Sequence, residues 1–362
     1  MPLKGKKGEV SMVDISTPIE FKQVEGKSLF LDPRKEYQLT EEKLQVRYDP
    51  LTGRTGHFVR LGAVKPQRLP IESYSNPEVK GFCPFCSDLR YRATPKFPEY
   101  IFPDGRLSKG EALLIPNLYP YDVYSAITIM ATEHVVPLER LNEKILLDSF
   151  SIGVAFLKRI KSIDPSLPYH LMDWNYMPPS GGGLVHPHQQ CFATQFPGNQ
   201  VTDEMRCSKA FYKKHGVNYW KELVRIEQQR DKRYIGSTNS SHWLASFVSL
   251  GVLGEIIGIF PDVYSIDDFN EAHISELASG IRRIFSYYVD KNIFSFNTSL
   301  FFGPQDQEFF SAHFRIIPRT FLNTRDHASD LCFYQALHQE PVCVVMPEVM
   351  CKEVRAYFTG KN

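Results

Sequence analysis

Several things are scarce in this chain of 362 residues, and each scarcity removes a class of function. Charge of one sign is absent in bulk: 42 Lys and Arg stand against 41 Asp and Glu, a net charge of +1. A general grip on nucleic acid, which needs a basic surface, is therefore not expected. No apolar run reaches the length of a membrane span, so no membrane partner is expected. Residues Met1 to Val10 are polar and lysine-rich, without the apolar core of a secretory signal, which points to a cytoplasmic protein. Cysteine is present but odd in number, seven in all, and scattered. That argues against a disulfide framework and for buried neutral thiols at Cys191, Cys207, Cys332, Cys343 and Cys351. Cys83 and Cys86 stand apart because they form a C-x-x-C.

What the chain does have is 43% hydrophobic residues, enough for one large core or two smaller ones. Residues 1–46 are polar and strand-poor and read as an N-terminal extension. Asp49-Pro50-Leu51-Thr52-Gly53 is a turn signal. Apolar residues at helical spacing (Leu141, Ile145, Phe150, Val154, Leu157, Ile160) predict a long amphipathic helix over 138–163. A strand is expected over 169–174, then a glycine loop, then a strand carrying two histidines. The second half repeats this order. It has a strand over 255–260, a helix over 267–290, strands over 294–302 and 309–317, and a single His313 in the last. If His313 corresponds to His188, then Ser311 stands opposite His186 and Arg315 opposite Gln190. The expected organisation is a catalytic half over 47–200 and a second, degenerate half over 201–362.

The chemistry concentrates in Ser180-Gly181-Gly182-Gly183-Leu184-Val185-His186-Pro187-His188-Gln189-Gln190. His186, His188 and Gln190 alternate, so on a strand they share a face. Glycines 181, 182 and 183 bring backbone close to that face. A neutral imidazole can attack phosphorus if its other nitrogen donates to an acceptor, such as a carbonyl on the same strand. The loop and Gln190 could then hold the non-bridging oxygens. His186 has a second possible use: with Cys83, Cys86 and one more histidine it makes a Cys2His2 set, which suits tetrahedral zinc.

These residues resemble a known family. His186-Pro187-His188-Gln189-Gln190 matches the H-P-H-x-Q signature of galactose-1-phosphate uridylyltransferases, a branch of the histidine-triad (HIT) superfamily. Cys83-Pro84-Phe85-Cys86, Ile115-Pro116-Asn117-Leu118-Tyr119-Pro120 and Thr132-Glu133-His134 resemble further family segments. So do Arg47-Tyr48-Asp49-Pro50-Leu51-Thr52-Gly53 and Ala312-His313-Phe314. Asn175 lies eleven residues before His186, as the family's active-site asparagine does. The resemblance covers roughly residues 47–320.

The resemblance implies an α+β fold of duplicated HIT-like halves, with antiparallel sheets flanked by helices, assembled as a homodimer. It implies zinc on Cys83, Cys86, His134 and His186, His188 as a nucleophile carrying a nucleotidyl group, and Gln190 on the phosphoryl oxygens. Asn117, Asn175, Gly181, Gly182, Gly183, Lys65 and His313 are the expected substrate-binding residues. The implied partners are a nucleotide-sugar and a sugar phosphate. Inorganic phosphate (a phosphorylase acting on a nucleotide-sugar or a dinucleoside polyphosphate) and water (a hydrolase) are alternative acceptors. A non-catalytic nucleotide-binding protein is a further alternative. The chain departs from the family where substrate is chosen. Gly183 replaces a serine, and Leu118 stands where an aspartate is usual. Lys65 and Arg68 are possible substitutes for an arginine pair. Ser311 replaces one histidine of a second metal site, of which His313 and Glu204 remain. Leu337-His338-Gln339-Glu340-Pro341 lies near where the family reads the hexose.

Overall fold

The computed structural model describes residues 16–60, 64, 66–67, 70–76, 78, 82–87 and 89–360. A ten-stranded antiparallel sheet runs through both halves of the chain in the order β4-β5-β6-β8-β7-β12-β13-β11-β10-β9. Its first half is β4 (Leu107–Lys109), β5 (Ala112–Pro116), β6 (Tyr124–Ile129), β7 (Tyr169–Tyr176) and β8 (His188–Thr194). Its second half is β9 (Tyr234–Thr238), β10 (Ser241–Ala245), β11 (Ile256–Phe260), β12 (Ser295–Phe302) and β13 (Ala312–Arg319). From the centre outwards, β7-β8-β6-β5-β4 mirrors β12-β13-β11-β10-β9. The halves are therefore related by a pseudo-two-fold at the β7–β12 pair, where Asp173 faces Ser299.

The expected helices are present with sharper limits. Helix α1 (Glu143–Ile163) starts where Asn142 accepts a hydrogen bond from the Ile145 amide. Helix α4 (Glu271–Asp290) starts at the cap Asn270. Between them in sequence come α2 (Asn199–His215) and α3 (Tyr219–Arg230). After β13 come the small pair β14 (Phe321–Asn323) and β15 (Ala328–Ser329), the short α5 (Phe333–Ala336), β16 (Val342–Cys343) and α6 (Pro347–Thr359).

One face of the sheet is covered by α1, α4 and α6 and forms the main core. Trp174, Phe296, Leu300, Phe314 and Ile316 are buried there. Gly153 lets α1 lie close under the site, because a Cβ there would run into Met172 and Cys191. The opposite face is covered unevenly. Over the outer strands of the first half, Cys83 and Phe85 pack on Leu113, Ile115, Ile127 and Ile129. Over the second half, α2 and α3 pack on Ile257, Ile259 and Phe310 through Val201, Trp220 and Leu223. Between these two covers the face is open.

The N-terminal segment departs from expectation. Instead of being strand-poor, it forms a hairpin of β1 (Gln23–Asp32) and β2 (Gln38–Tyr48), joined to β3 (Thr55–Phe58) and β16. Most of the hairpin is exposed on both faces. Its sequence therefore lacks the alternation that a half-buried strand shows. Residues 1–15 lie outside the described residues. No helix among the described residues is long and apolar enough to cross a membrane. All seven cysteines are free; Cys191, Cys343 and Cys351 are buried as expected, whereas Cys207 is half-buried and Cys332 exposed.

Candidate active site

Strand β8 begins at His188, immediately after the glycine loop. Ser180 donates to the Met177 carbonyl through both its amide and its hydroxyl, which closes the turn. Met177 itself has φ +68°, a left-handed value unusual for a residue with a side chain, and Gly181 has φ +83°. A Cβ on Gly182 would come within 3.3 Å of the Asn175 and Met177 carbonyl oxygens, so a side chain there would crowd the backbone of the turn. Gly183 has open space around it.

His186 and His188 are held differently. The buried His186 ring donates from Nε2 to the Ala131 carbonyl at 2.8 Å. Its Nδ1 then faces Cys83 Sγ at 3.7 Å and Cys86 Sγ at 3.9 Å. Cys86 Sγ lies 3.4 Å from His134 Nδ1. The four ligand atoms of Cys83, Cys86, His134 and His186 all lie within 4.8 Å of one another. Ligands on a tetrahedron with bonds of about 2.0–2.3 Å stand roughly 3.4–3.8 Å apart, so this donor set fits a tetrahedral metal. Burial lowers the His186 pKa to about 4, keeping the imidazole neutral as a metal ligand requires.

His188 donates from Nδ1 to the His186 carbonyl at 2.7 Å. Burial pulls its pKa below the ordinary histidine value, against the opposing effect of that hydrogen bond. The result is a neutral ring with its proton fixed on Nδ1 and its Nε2 lone pair available. The same-strand carbonyl expected from the sequence is thus the one used. Phe85, between the two cysteines, packs its ring 5.2 Å from that of His188 and 6.0 Å from that of His186. The cysteine knuckle therefore buttresses the His188 ring directly.

Two cavities meet at Gln190 and Tyr121, which line both. The first, about 310 Å³, is walled by Phe85, Ile115, Pro116, Ile127 and Leu184 and holds Asn117, Gly183 and His188. The second, about 340 Å³, holds Asp173, Asn175, Asn297 and Ser299. Ladder pairing runs Gln190–Asp173–Ser299–Arg315 across four strands, which sets these side chains on one face of the sheet. Ser299 donates to Asp173 at 2.5 Å. Burial nevertheless raises the Asp173 pKa to about 6.

The expected substrate-binding residues divide. Gly183 and Asn117 line the first cavity, although Asn117 also accepts from the Tyr119 amide at 3.0 Å and so shapes its own turn. Asn175 lines the second and accepts from Asn297 at 2.6 Å. Gly181 and Gly182 shape the loop behind Gly183. Lys65 and Arg68 lie outside the described residues. His313 is a correction: it is 0% exposed, lines neither cavity, and stacks on Trp220 at 4.0 Å. Its Nδ1 reaches the Ser311 carbonyl at 3.1 Å, the same local arrangement as His188. It faces Ile259 as His188 faces Ile129, so the correspondence between the two histidines holds. Its Nε2 is 3.2 Å from Glu204, within ion-pair reach but poorly aligned for a hydrogen bond. Arg315 bridges Glu204 and Glu255 at 2.5 Å each. The partner of Glu204 in this region is thus a guanidinium.

Sequence reasoning missed Asp173, Ser299, Asn297, Tyr121 and Phe85. Asp173 was findable, two residues before Asn175 and so on the same strand face. Ser299 and Asn297 come from the other half and are joined to the site only by the β7–β12 ladder.

Comparisons with known proteins place the fold. An ADP-glucose phosphorylase from Arabidopsis thaliana, solved with bound ADP-glucose, superposes with a TM-score of 0.64 over 86% of this chain and 98% of its own, at 17% identity. A uridylyltransferase superposes with a TM-score of 0.62 over 87% and 98%, at 18% identity. A protein of unassigned function from Archaeoglobus fulgidus is 29% identical over 328 residues, 89% of this chain and 94% of that one. No protein-family profile matches the chain. The fold is the two-halved, HIT-like α+β arrangement.

Proposed function

We propose that the chain is a nucleotidyltransferase that passes a nucleoside monophosphate from a nucleotide-sugar to an acceptor phosphate through a nucleotidyl-His188 intermediate. The observation that carries this is the His188 ring, with its Nδ1 proton tied to the His186 carbonyl at 2.7 Å and Nε2 left for attack beside a cavity of about 310 Å³. In the first step Nε2 attacks the α-phosphorus. A P–N bond forms, and the P–O bond to the leaving sugar phosphate breaks. Gln190 and the Gly183 amide are positioned to steady the non-bridging oxygens. In the second step an acceptor oxygen attacks the same phosphorus, and the P–N bond breaks. The apolar wall of Phe85, Ile115, Ile127 and Leu184 suits a nucleobase. The fold is shared with both an ADP-glucose phosphorylase and a uridylyltransferase, so the acceptor in this reading is a sugar phosphate or inorganic phosphate.

The metal of this reading is zinc, held by Cys83, Cys86, His134 and His186, and its role is to fix the strand that carries His188. Cys83→Ser should lower the metal content, measured by elemental analysis, from near one zinc per chain. It should also lower the melting temperature. Unchanged metal content would refute the zinc assignment. A homodimer and a cytoplasmic setting belong to the same reading. Supporting the homodimer, Leu118, Tyr119, Tyr121 and Val123 lie exposed beside the cavity mouth, and a partner surface would cover them.

The test is covalent labelling. Nucleotide-sugars labelled in the α-phosphate should leave acid-labile label on the wild-type chain and none on His188→Ala. Absence of label with uridine, adenosine and guanosine donors alike would overturn the proposal. Turnover that continues without any phosphate acceptor would identify the acceptor as water.

A further inference from the structure

Nothing in the proposed chemistry uses Asp173. Among the described residues it is the one acidic side chain lining the second cavity, and that cavity is otherwise lined by amides, hydroxyls and aromatic rings. No Lys or Arg lines either cavity among the described residues. Arg319, behind Asn297, is already paired with Asp330 at 2.6 Å. Asn297 donates to Asn175 and to the Ser180 carbonyl, and accepts from Arg319 at 2.7 Å. Its orientation is therefore fixed. The cavity presents a carboxylate, a phenol and fixed amides, which complement hydroxyl groups. Among the described residues, a phosphate placed there would meet a carboxylate and no compensating cation.

Taking the nucleotidyl-transfer reading as its basis, we propose that Asp173 determines which donor is accepted. The cavity beyond Gln190 takes the neutral, polyhydroxylated end of a nucleotide-sugar, and Asp173 bars the extended phosphate chain of a dinucleoside polyphosphate. The two donor classes share the nucleotidyl group that reaches His188 and differ in the group attached beyond it. A sugar ring sets uncharged hydroxyls against the Asp173 carboxylate, which can accept from them. A third and fourth phosphate set like charge against it. The Ser299 hydroxyl, from the other half, donates to Asp173 and keeps the carboxylate in place. Burial raises the pKa of this carboxylate, against the opposing Ser299 hydrogen bond, and the group lines the cavity.

The experiment compares UDP-glucose and ADP-glucose with diuridine and diadenosine tetraphosphate, in wild type, Asp173→Asn and Ser299→Ala. It reads kcat/KM for His188 labelling and, in parallel, equilibrium binding by calorimetry. Wild type should prefer the nucleotide-sugar of its base by about 100-fold or more. Asp173→Asn should cut that preference at least tenfold, chiefly through a lower KM for the tetraphosphate. Ser299→Ala keeps the carboxylate but removes the donor that holds it in place, and should reduce the preference less than Asp173→Asn does. A wild type that takes both donors equally, or an unchanged ratio in a folded Asp173→Asn, overturns the inference. If neither donor labels His188, the transfer reading fails by itself, and the wild-type binding ratio still decides the role of Asp173. If Asp173→Asn does not fold, that same wild-type ratio decides.

Discussion

His188 and His313 occupy equivalent places in the two halves, and their surroundings have diverged completely. Each ring fixes its Nδ1 on the carbonyl two residues before it, and each faces an isoleucine on the neighbouring strand. Around His188, position 186 belongs to the Cys83, Cys86, His134 and His186 cluster, position 190 borders two cavities, and the ring is reachable. Around His313, every corresponding position has a structural use. Ser311 accepts from Asn218, the cap of α3, at 3.1 Å and donates to the Pro261 carbonyl at 2.8 Å. Arg315 is clamped between two carboxylates, and Trp220 lies flat on the imidazole. A strand can thus keep its histidine and its backbone geometry while its surroundings close over it. The difference comes from what covers the strand and from which neighbours it pairs with.

The sharpest way to break this comparison is to remove each histidine in turn. His188→Ala should reduce transfer on the order of 10⁴-fold or more while leaving the melting temperature nearly unchanged. His313→Ala should do the reverse, lowering stability by about 1–3 kcal/mol in denaturant titrations with transfer largely intact in the folded fraction. Equal losses of activity would mean that the second half takes part in the reaction.

The next largest effect belongs to the buried ionic cluster. Burial pushes the Glu204 carboxyl up, but Arg315, His313 and Gln200 together hold it down at about 2. Its stabilising contribution is therefore complete above pH 4.5 and is lost as pH falls towards 2. Glu204→Ala leaves Arg315 with one carboxylate instead of two and should cost about 3–5 kcal/mol. Urea unfolding with and without a chelator sharpens the contrast. The Glu204 penalty should be independent of metal, because the partner of its carboxylate is the Arg315 guanidinium.

The smallest effect runs the other way. An unfolded aspartate titrates near 3.9, and Asp173 in the folded chain at about 6. Its ionisation therefore costs folding stability. That cost is absent below about pH 4, grows between about pH 4 and 6, and is complete above. Asp173→Asn should raise stability by about 1–2 kcal/mol at about pH 7–8, discounted for partial solvent access, and by nothing near pH 4. A melting-temperature series across this range checks both size and direction. Loss of stability in Asp173→Asn at neutral pH would mean that the carboxylate holds the fold together.

Much of the catalytic half was legible because its information is local. The His186–Gln190 alternation, the glycine run and the C-x-x-C each lie within a few residues, and the local backbone is set by them. The metal cluster joins segments as much as 103 residues apart, and it was reached through resemblance to a family rather than through spacing. The order of strands and helices along the chain was also legible from the repeated strand–helix–strand pattern, but not which strands pair. The parts that stayed hidden were set by pairing between distant strands. Nothing near Ser299 or Asn297 in the sequence says that β12 lies beside β7. Nothing near Trp220 says that α3 will roof His313. The exposed hairpin was unreadable for a different reason: with solvent on both faces, no burial pattern is written into it.

The β7–β12 ladder has a consequence for how such a protein can change over time. Two domains joined by a linker can part company, and the idle one can be trimmed away. Here the second half supplies the neighbouring strand and two polar side chains, Ser299 and Asn297, of the cavity that the first half opens onto. Deleting it would expose the edge of β7 and dismantle one wall of the site. Halves sealed along a strand pair are in this sense inseparable: the second is free to change its side chains but not to leave.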